Sequence, residues 1–296
     1  MIVVSKKYYR SLFGVMLLIL TSFYISACES SFEPLQENGR YHFSIFGALD
    51  HSADTQWVRV MPITDSIYVD DDFPLDAEVT LKRLSTGEIT VMKDSLLQYS
   101  NSVYAWNFYT TTPIHANESY ELNAEASDGR LSSATVTIPP NFPMPTSRYS
   151  EANENGTVSI FDVDRIVVAE VSYTMILWID VKPPPPVTFA ISHLDKIYPS
   201  GNGADQFYPN DLDELANEFL IDKRLIEIID RKVLVVSGSA EWPDYADLDE
   251  DEKYLPERST NIVDGLGVLA GIVSKIFTLE SCFNEEDGLI DCPVNE

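Results

Sequence analysis

Basic side chains are scarce in this sequence. It carries 20 Lys and Arg against 47 Asp and Glu, a formal net charge of -27 over 296 residues. A surface of that sign repels phosphate backbones, which excludes nucleic acid as a partner. Histidine is scarcer still, with His42, His51, His115 and His193 as the whole set. No two of them stand at i, i+4 and no His-Glu-x-x-His is present, so the helix of a zinc hydrolase is excluded. Cysteine occurs three times, at Cys28, Cys282 and Cys292, and no His lies near the last two, which argues against a zinc site there. There is no Gly-x-Ser-x-Gly elbow and no glycine loop to cradle a phosphate. Apolar residues are not lacking. Hydrophobic side chains make up 45% of the chain and aromatics 11%, enough to bury a core and to exclude disorder over most of its length.

The first 28 residues carry an address. Lys6, Lys7 and Arg10 form a basic start, and an apolar run follows to Tyr24. That run is shorter than the roughly 20 residues a membrane span needs. It ends in Ile25-Ser26-Ala27-Cys28, which resembles a bacterial lipobox: branched apolar, small, small, Cys. The resemblance implies acylation of Cys28, cleavage before it, and a lipid anchor holding the protein to the membrane. Several acyl chains anchor firmly where one anchors marginally. Glu29 follows Cys28 instead of the Asp that resembles inner-membrane retention, so the outer membrane is expected, with its face left open. Cleavage removes three basic residues and no acidic one, leaving 17 basic against 47 acidic side chains. In an exported chain Cys282 and Cys292 are expected to pair as a disulfide, closing a loop of about 11 residues worth roughly 3 kcal/mol in the chain-entropy view.

Beyond a signal peptide at 1–27 and a polar tether at 28–38, residues 39–140 alternate with period two. Phe43, Ile45, Trp57, Val58 and Val60 fall in two early strands. Ala77-Val79-Leu81 alternates with Glu78-Thr80-Lys82, and Val103 to Phe108 is aromatic and strand-like. Ser127-Asp128-Gly129-Arg130 is a hairpin signal between Tyr120-Leu122-Ala124 and Ala134-Val136-Ile138. About seven strands in about 100 residues imply an immunoglobulin-like β-sandwich, with Tyr120 placed as a tyrosine corner. Residues 141–156, rich in Pro, Ser and Asn, read as a linker. Residues 157–296 read as a second, acidic, β-rich domain with one inserted helix over 211–221. Asn210 is its expected N-cap, and Leu212, Leu215, Ala216 and Phe219 form one face. Within that domain, 165–181 reads as one long or bent strand, or two. The proline run at 183–186 reads as a stiff connection, and 187–192, 232–237 and 266–279 as strands. The fold class is therefore mostly β.

Several stretches together resemble an uncharacterised lipoprotein family common in Bacteroidota. They are Tyr41-His42-Phe43-Ser44-Ile45-Phe46-Gly47-Ala48, Gln56-Trp57-Val58-Arg59-Val60, Asp76-Ala77-Glu78-Val79-Thr80-Leu81 and Ser119-Tyr120-Glu121-Leu122. Asn261-Ile262-Val263-Asp264-Gly265-Leu266-Gly267 resembles the family's closing Asn-Ile-x-x-Gly-Leu-Gly signature. The family has no established activity. The resemblance implies a membrane-anchored β protein that accompanies outer-membrane transport systems of the TonB-dependent type, and it names no catalytic residue.

Candidate sites are few. Two acidic runs are weighed for cations, Asp70-Asp71-Asp72 and Asp247-x-Asp249-x-Asp251; the second has the alternate-oxygen spacing of calcium loops, but Glu252 stands where an EF-hand needs Gly and Arg258 where it needs Glu. A looser calcium site is the alternative to a solvated acidic loop. Trp106 with Tyr104 and Phe108, and Trp242 with Tyr245 and Tyr254, are candidates for stacking on sugar rings, against the reading that they are core. A carboxylate pair for glycoside hydrolysis is a third possibility in so acidic a chain. The expectation is a non-catalytic accessory or binding component of a TonB-dependent uptake system, with no cofactor. Independent glycan or calcium binding at the surface is the alternative, and a carboxylate-pair hydrolase a further one.

Overall fold

Strands account for most of the described chain. The computed structural model describes residues 41–63, 74–100, 103–150, 155–179, 184–201, 203–243 and 260–279. In the first half these hold β1 (Phe43–Asp50), β2 (Gln56–Pro62), β3 (Glu78–Arg83), β4 (Ile89–Val91), β5 (Lys93–Ser100), β6 (Val103–Thr110), β7 (Ser119–Glu125) and β8 (Leu131–Thr137). Then come β9 (Thr146–Ser150), β10 (Asn155–Ile160), β11 (Ile166–Leu177), β12 (Val187–Ser192), β13 (Tyr198–Pro199) and β14 (Asp205–Phe207). Helix α1 (Leu212–Glu218), β15 (Ile226–Gly238) and β16 (Gly265–Thr278) complete the set. The mostly β class, with one α-helix among the described residues, is what the sequence implied. The candidate residues Cys28, Cys282, Cys292, Asp70, Asp71, Asp72, Asp247, Asp249 and Asp251 lie outside the described residues.

Alternation decides which side of each strand is inside. In β2, Gln56, Val58 and Val60 are buried while Trp57 and Arg59 are exposed. In β8 the buried set is Ser132, Ala134 and Val136. Strands β4-β3-β7-β8 form one sheet and β1-β2-β6-β5 part of another, and Val58, Val60, Val79, Leu81, Leu122 and Val136 share one apolar cluster. Burial of such side chains is worth about 1.5–3 kcal/mol each before entropy is counted. Trp106 (5% exposed) and Phe108 (2%) belong to that core, so they do not offer a sugar platform. Tyr120, 2% exposed, accepts a hydrogen bond on Oη from the backbone N–H of His115 at 2.9 Å, the contact expected of a tyrosine corner.

The larger sheet does not stop at the first region. Its order is β12-β11-β15-β16-β1-β2-β6-β5, and β16 pairs with β1 in parallel from Phe43↔Gly265 to Asp50↔Ile272. The 141–156 stretch, expected as a linker, carries β9 and the start of β10, which pair with each other. Residues 166–177 form one strand. Register shifts between Ile166/Val168 and Thr174/Met175 let its twelve residues follow β15.

The closing signature explains the parallel join. Asn261 donates from Nδ2 to the Leu269 carbonyl (2.6 Å) and accepts from the Leu269 N–H on Oδ1 (3.0 Å), so one side chain mimics a paired strand. Gly265 and Gly267 let β16 press onto β1. A Cβ on Gly265 would lie 2.5 Å from the Phe43 carbonyl oxygen, and one on Gly267, at φ +106, 2.2 Å from that of Ile45. Buried Ser132 accepts from the Phe43 N–H (3.1 Å) and donates to the Asp264 carbonyl (2.6 Å).

Helix α1 begins one residue later than the sequence suggested. Asp211, not Asn210, is the N-cap, and its side chain makes no capping bond. Leu215 is fully buried and Phe219 packs edge-on to Phe189 at 5.5 Å. The helix ends in a paired return, Leu220 N–H to Asn217 and Ile221 N–H to Ala216, with Leu220 at φ 53 and 91% exposed. Glycine usually fills that position because a Cβ costs about 1–2 kcal/mol there. Leu220→Gly is expected to raise stability by roughly 0.5–1 kcal/mol, since the strain relieved exceeds the added freedom of the unfolded chain. A urea midpoint that falls would show that Leu220 has a contact its exposure does not reveal.

Candidate functional site

Polar chemistry gathers in three places. The first is a buried cluster. Tyr173 on β11, His193 directly after β12 and Asp211 before α1 meet although up to 38 residues separate them in sequence. His193 Nε2 lies 2.9 Å from Asp211 Oδ2, and the Tyr173 hydroxyl bonds the same oxygen. A carboxylate only accepts, so both neighbours donate to it. The His193 ring stacks on Phe207 at the end of β14, 4.9 Å between centroids. Exposures of 3%, 1% and 6% for Tyr173, His193 and Asp211 leave no path for a substrate. The cluster resembles a catalytic relay in composition, but in position it is a clasp between the large sheet, the small β13-β14-β10-β9 sheet and the helix. It also explains the idle cap: the Asp211 carboxylate is engaged inward. No adjacency in the sequence announces it.

The second is a cleft of about 180 Å³ against Arg83, His115 and Tyr120. Arg83 donates to Glu118 at 2.9 Å. That bond, helped by Ser85, holds the Glu118 carboxyl below the ordinary glutamate range and raises Arg83. The cation is engaged by its own neighbour, and the Tyr120 hydroxyl by a backbone N–H. Of the other two histidines, His51 Nδ1 sits 2.8 Å from the Ile114 carbonyl oxygen, and the backbone N–H of His42 donates to the Asp264 carbonyl at 3.0 Å.

The third place is a sheet face. On β1, β2, β6 and β5, cross-strand register forms two rows, Ala48-Trp57-Tyr109-Lys93 and Phe46-Arg59-Asn107-Ser95. The Trp57 and Tyr109 rings stack with centroids 4.9 Å apart and planes 30° apart. Lys93 Nζ lies 5.9 Å from the Tyr109 centroid. Trp57 is 47% exposed and Phe46 51%. Of the aromatics that are candidates for stacking on sugars, Trp106 and Phe108 are core and Tyr104 is half-buried. Trp242 is half-buried too, and Tyr245 and Tyr254 lie outside the described residues. Trp57 is the residue that sequence reasoning missed. Its signal is parity: it alternates with Val58 and Val60 and so must point away from the core they enter.

No protein-family model matches this chain, and no curated relative matches it. Solved structures similar to it include the pullulanase of Anoxybacillus sp. LM18-11 complexed with maltotriose, at 8% identity and TM-score 0.22, covering 66% of this chain and 24% of that one. A second structure of the same pullulanase gives 8% identity and TM-score 0.21, covering 67% of this chain and 24% of that one. The chain thus spans about a quarter of the length of these structures. Likeness at that level carries no argument about fold or function. Among the described residues no three His, Cys, Asp or Glu side chains are grouped to hold a metal ion, and no helix is long and apolar enough to cross a membrane.

Proposed function

We propose that this chain is a lipid-anchored outer-membrane protein that works by binding, as a non-catalytic accessory or binding component of a TonB-dependent uptake system. The observation that carries the anchor is Ile25-Ser26-Ala27-Cys28, a lipobox-like run whose cysteine stands fifteen residues before β1. A chain of that length reaches at most ~50 Å, which keeps the β body close to the membrane surface. Strands β1–β8 are read as immunoglobulin-like. Their orders, β1-β2-β6-β5 and β4-β3-β7-β8, and the Tyr120 contact support this reading. In an exported chain Cys282 and Cys292 pair, being the two thiols left after Cys28 is acylated.

Membrane fractionation with lipid labelling tests the anchor. Wild type is expected in the outer-membrane fraction with label, and Cys28→Ala in the soluble fraction without it. A variant that stays membrane-bound and labelled refutes the lipoprotein reading. Gentle solubilisation of a C-terminally tagged chain tests the accessory role: a TonB-dependent barrel at near-equal amount is expected, and recovery of the lipoprotein alone overturns it. A second reading, independent glycan binding at the cell surface, is favoured by the exposed Trp57–Tyr109 face.

A further inference from the structure

We infer that the open edge of β12 pairs with the same edge of a second copy of this chain, antiparallel about a two-fold axis at Ala190, so that two eight-stranded sheets join into one. The inference goes beyond the binding role proposed above and does not depend on the transporter.

Three observations carry it. The first is that this edge is unguarded. A terminal strand presents a row of unpaired N–H and C=O groups, and proteins blunt such rows with charge, proline, bulges, shortness or cover. Among the described residues every other sheet end is treated so. Strand β5 carries Lys93 and Asp94, with a register shift between Gln98 and Ser100. Strand β4 has three residues, and β13 has two, one of them Pro199. Strand β9 carries Arg148 at its centre. Strand β8 is closed by Val263, which exchanges two backbone hydrogen bonds with Ser133, at 2.7 and 3.1 Å. Strand β12 reads Val187-Thr188-Phe189-Ala190-Ile191-Ser192, with no charge, no proline and an unbroken register against β11.

The second observation is which backbone groups are free. The His193 N–H donates to the Ala169 carbonyl at 2.7 Å, so the odd-numbered residues of β12 are the ones that bond β11. The N–H and C=O of Thr188, Ala190 and Ser192 therefore point to the open side, where no described strand lies. The side chains of these three residues are small, uncharged and exposed.

The third observation is self-complementarity. With Ala190 on the axis, Thr188 faces the second copy's Ser192 and Ala190 faces its own equivalent. Each facing pair can exchange two backbone hydrogen bonds. On the outer face hydroxyl meets hydroxyl and methyl meets methyl. On the inner face Phe189 faces the second copy's Ile191. Val187 and Phe189 are only half-buried while Ile191 is 4% exposed, so the apolar layer is unfinished at this edge and a second copy continues it. The register is also fixed. A slip of two residues sets Ser192 against Pro186, which has no N–H, or Thr188 against Leu194, which lies in the 3-10 turn after β12. Acidity does not oppose the join. Glu170, beside Ser192 on β11, stands about 20 Å from its equivalent, well beyond the screening length of about 8 Å at physiological salt. The edge is short, so association in solution is weak, and anchoring of both copies in one membrane raises their effective concentration.

Sedimentation equilibrium of the full-length protein in density-matched detergent tests the inference. Wild type is expected to dimerise with a Kd of about 10–100 μM. Ala190→Lys sets two like charges against each other on the axis and is expected to weaken dimerisation about fivefold or more, as is Ala190→Glu. Mixed in equal amounts, the two variants are expected to regain wild-type affinity, which a misfolded chain cannot do. Leu97→Lys, on the opposite edge strand, is expected to change nothing. The inference is overturned by a monomer at all concentrations up to about 0.2 mM, by a dimer that Ala190→Lys leaves intact, or by a mixture of the two charged variants that restores nothing. A photo-crosslinking residue at position 190 in intact cells is expected to join the protein to itself. A product with another protein in its place gives the edge to that partner and overturns the inference.

Discussion

Replacing Asp211 with Ala is expected to destabilise the protein by about 2–5 kcal/mol, because two buried donors lose their common acceptor. The substitution leaves the Tyr173 hydroxyl and His193 Nε2 facing a void in a region less than a tenth exposed. Each orphaned donor costs about 1–3 kcal/mol, because neither can turn to water. Asp211→Asn keeps an acceptor in place and is expected to lose less than half as much. The N-cap role does not confuse the result, since the Asp211 side chain makes no capping bond. Urea unfolding followed by tryptophan fluorescence measures the difference. A loss below about 1 kcal/mol for Asp211→Ala would mean that the three groups are not mutually dependent.

Gly267→Ala is the other change with a large expected effect, about 4 kcal/mol or more. Two costs add at this position. The backbone sits at φ +106, where an L side chain is strained, and the new methyl carbon would lie 2.2 Å from the Ile45 carbonyl oxygen. That oxygen is part of the β1 backbone, so relief requires β1 and β16 to separate, and with them the join of the eight-stranded sheet. Gly87→Ala is the control. Its φ is +74 but nothing lies within 4 Å of the added carbon, so only the conformational cost of about 1–2 kcal/mol is expected. Similar losses for the two variants would show that backbone strain, and not the close approach of β16 to β1, accounts for Gly267. The Asn261 clamp and both glycines give the closing signature a structural role: it seats the last described strand against the first.

Legibility in the sequence followed the range of the interaction. Strands β3, β7 and β8 could be read because Glu78–Arg83, Ser119–Glu125 and Leu131–Thr137 alternate apolar and polar residues, and alternation is a local property. Strand β5 was not anticipated. Lys93-Asp94-Ser95-Leu96-Leu97-Gln98 has no period, and as an edge strand it is held by its pairing with β6. The short β13 and β14 escaped for the same reason. The 141–156 stretch looked like a linker because Pro, Ser and Asn dominate it, yet β9 finds β10 as a partner. At the candidate site, the outward direction of Trp57 was implicit in its parity against Val58 and Val60. Its stacking partner Tyr109, more than 50 residues later, was not.

By itself the sequence determined the acidity, the mostly β class, the place of the one described α-helix, and the absence of a His-Glu-x-x-His or a nucleophile elbow. These follow from composition and from periods of two and 3.6 residues. Tertiary structure alone decided that β16 lies parallel to β1, with Asp50 reaching Ser274 across 224 residues, and that Tyr173, His193 and Asp211 close on one another. It also decided that Trp57, Tyr109, Arg59 and Lys93 fall in two adjacent cross-strand rows of one sheet. The physical reason is common to all three. Contacts between distant segments depend on how whole sheets assemble, and loop closure over such spans costs entropy that only the complete core repays, so no local pattern encodes them.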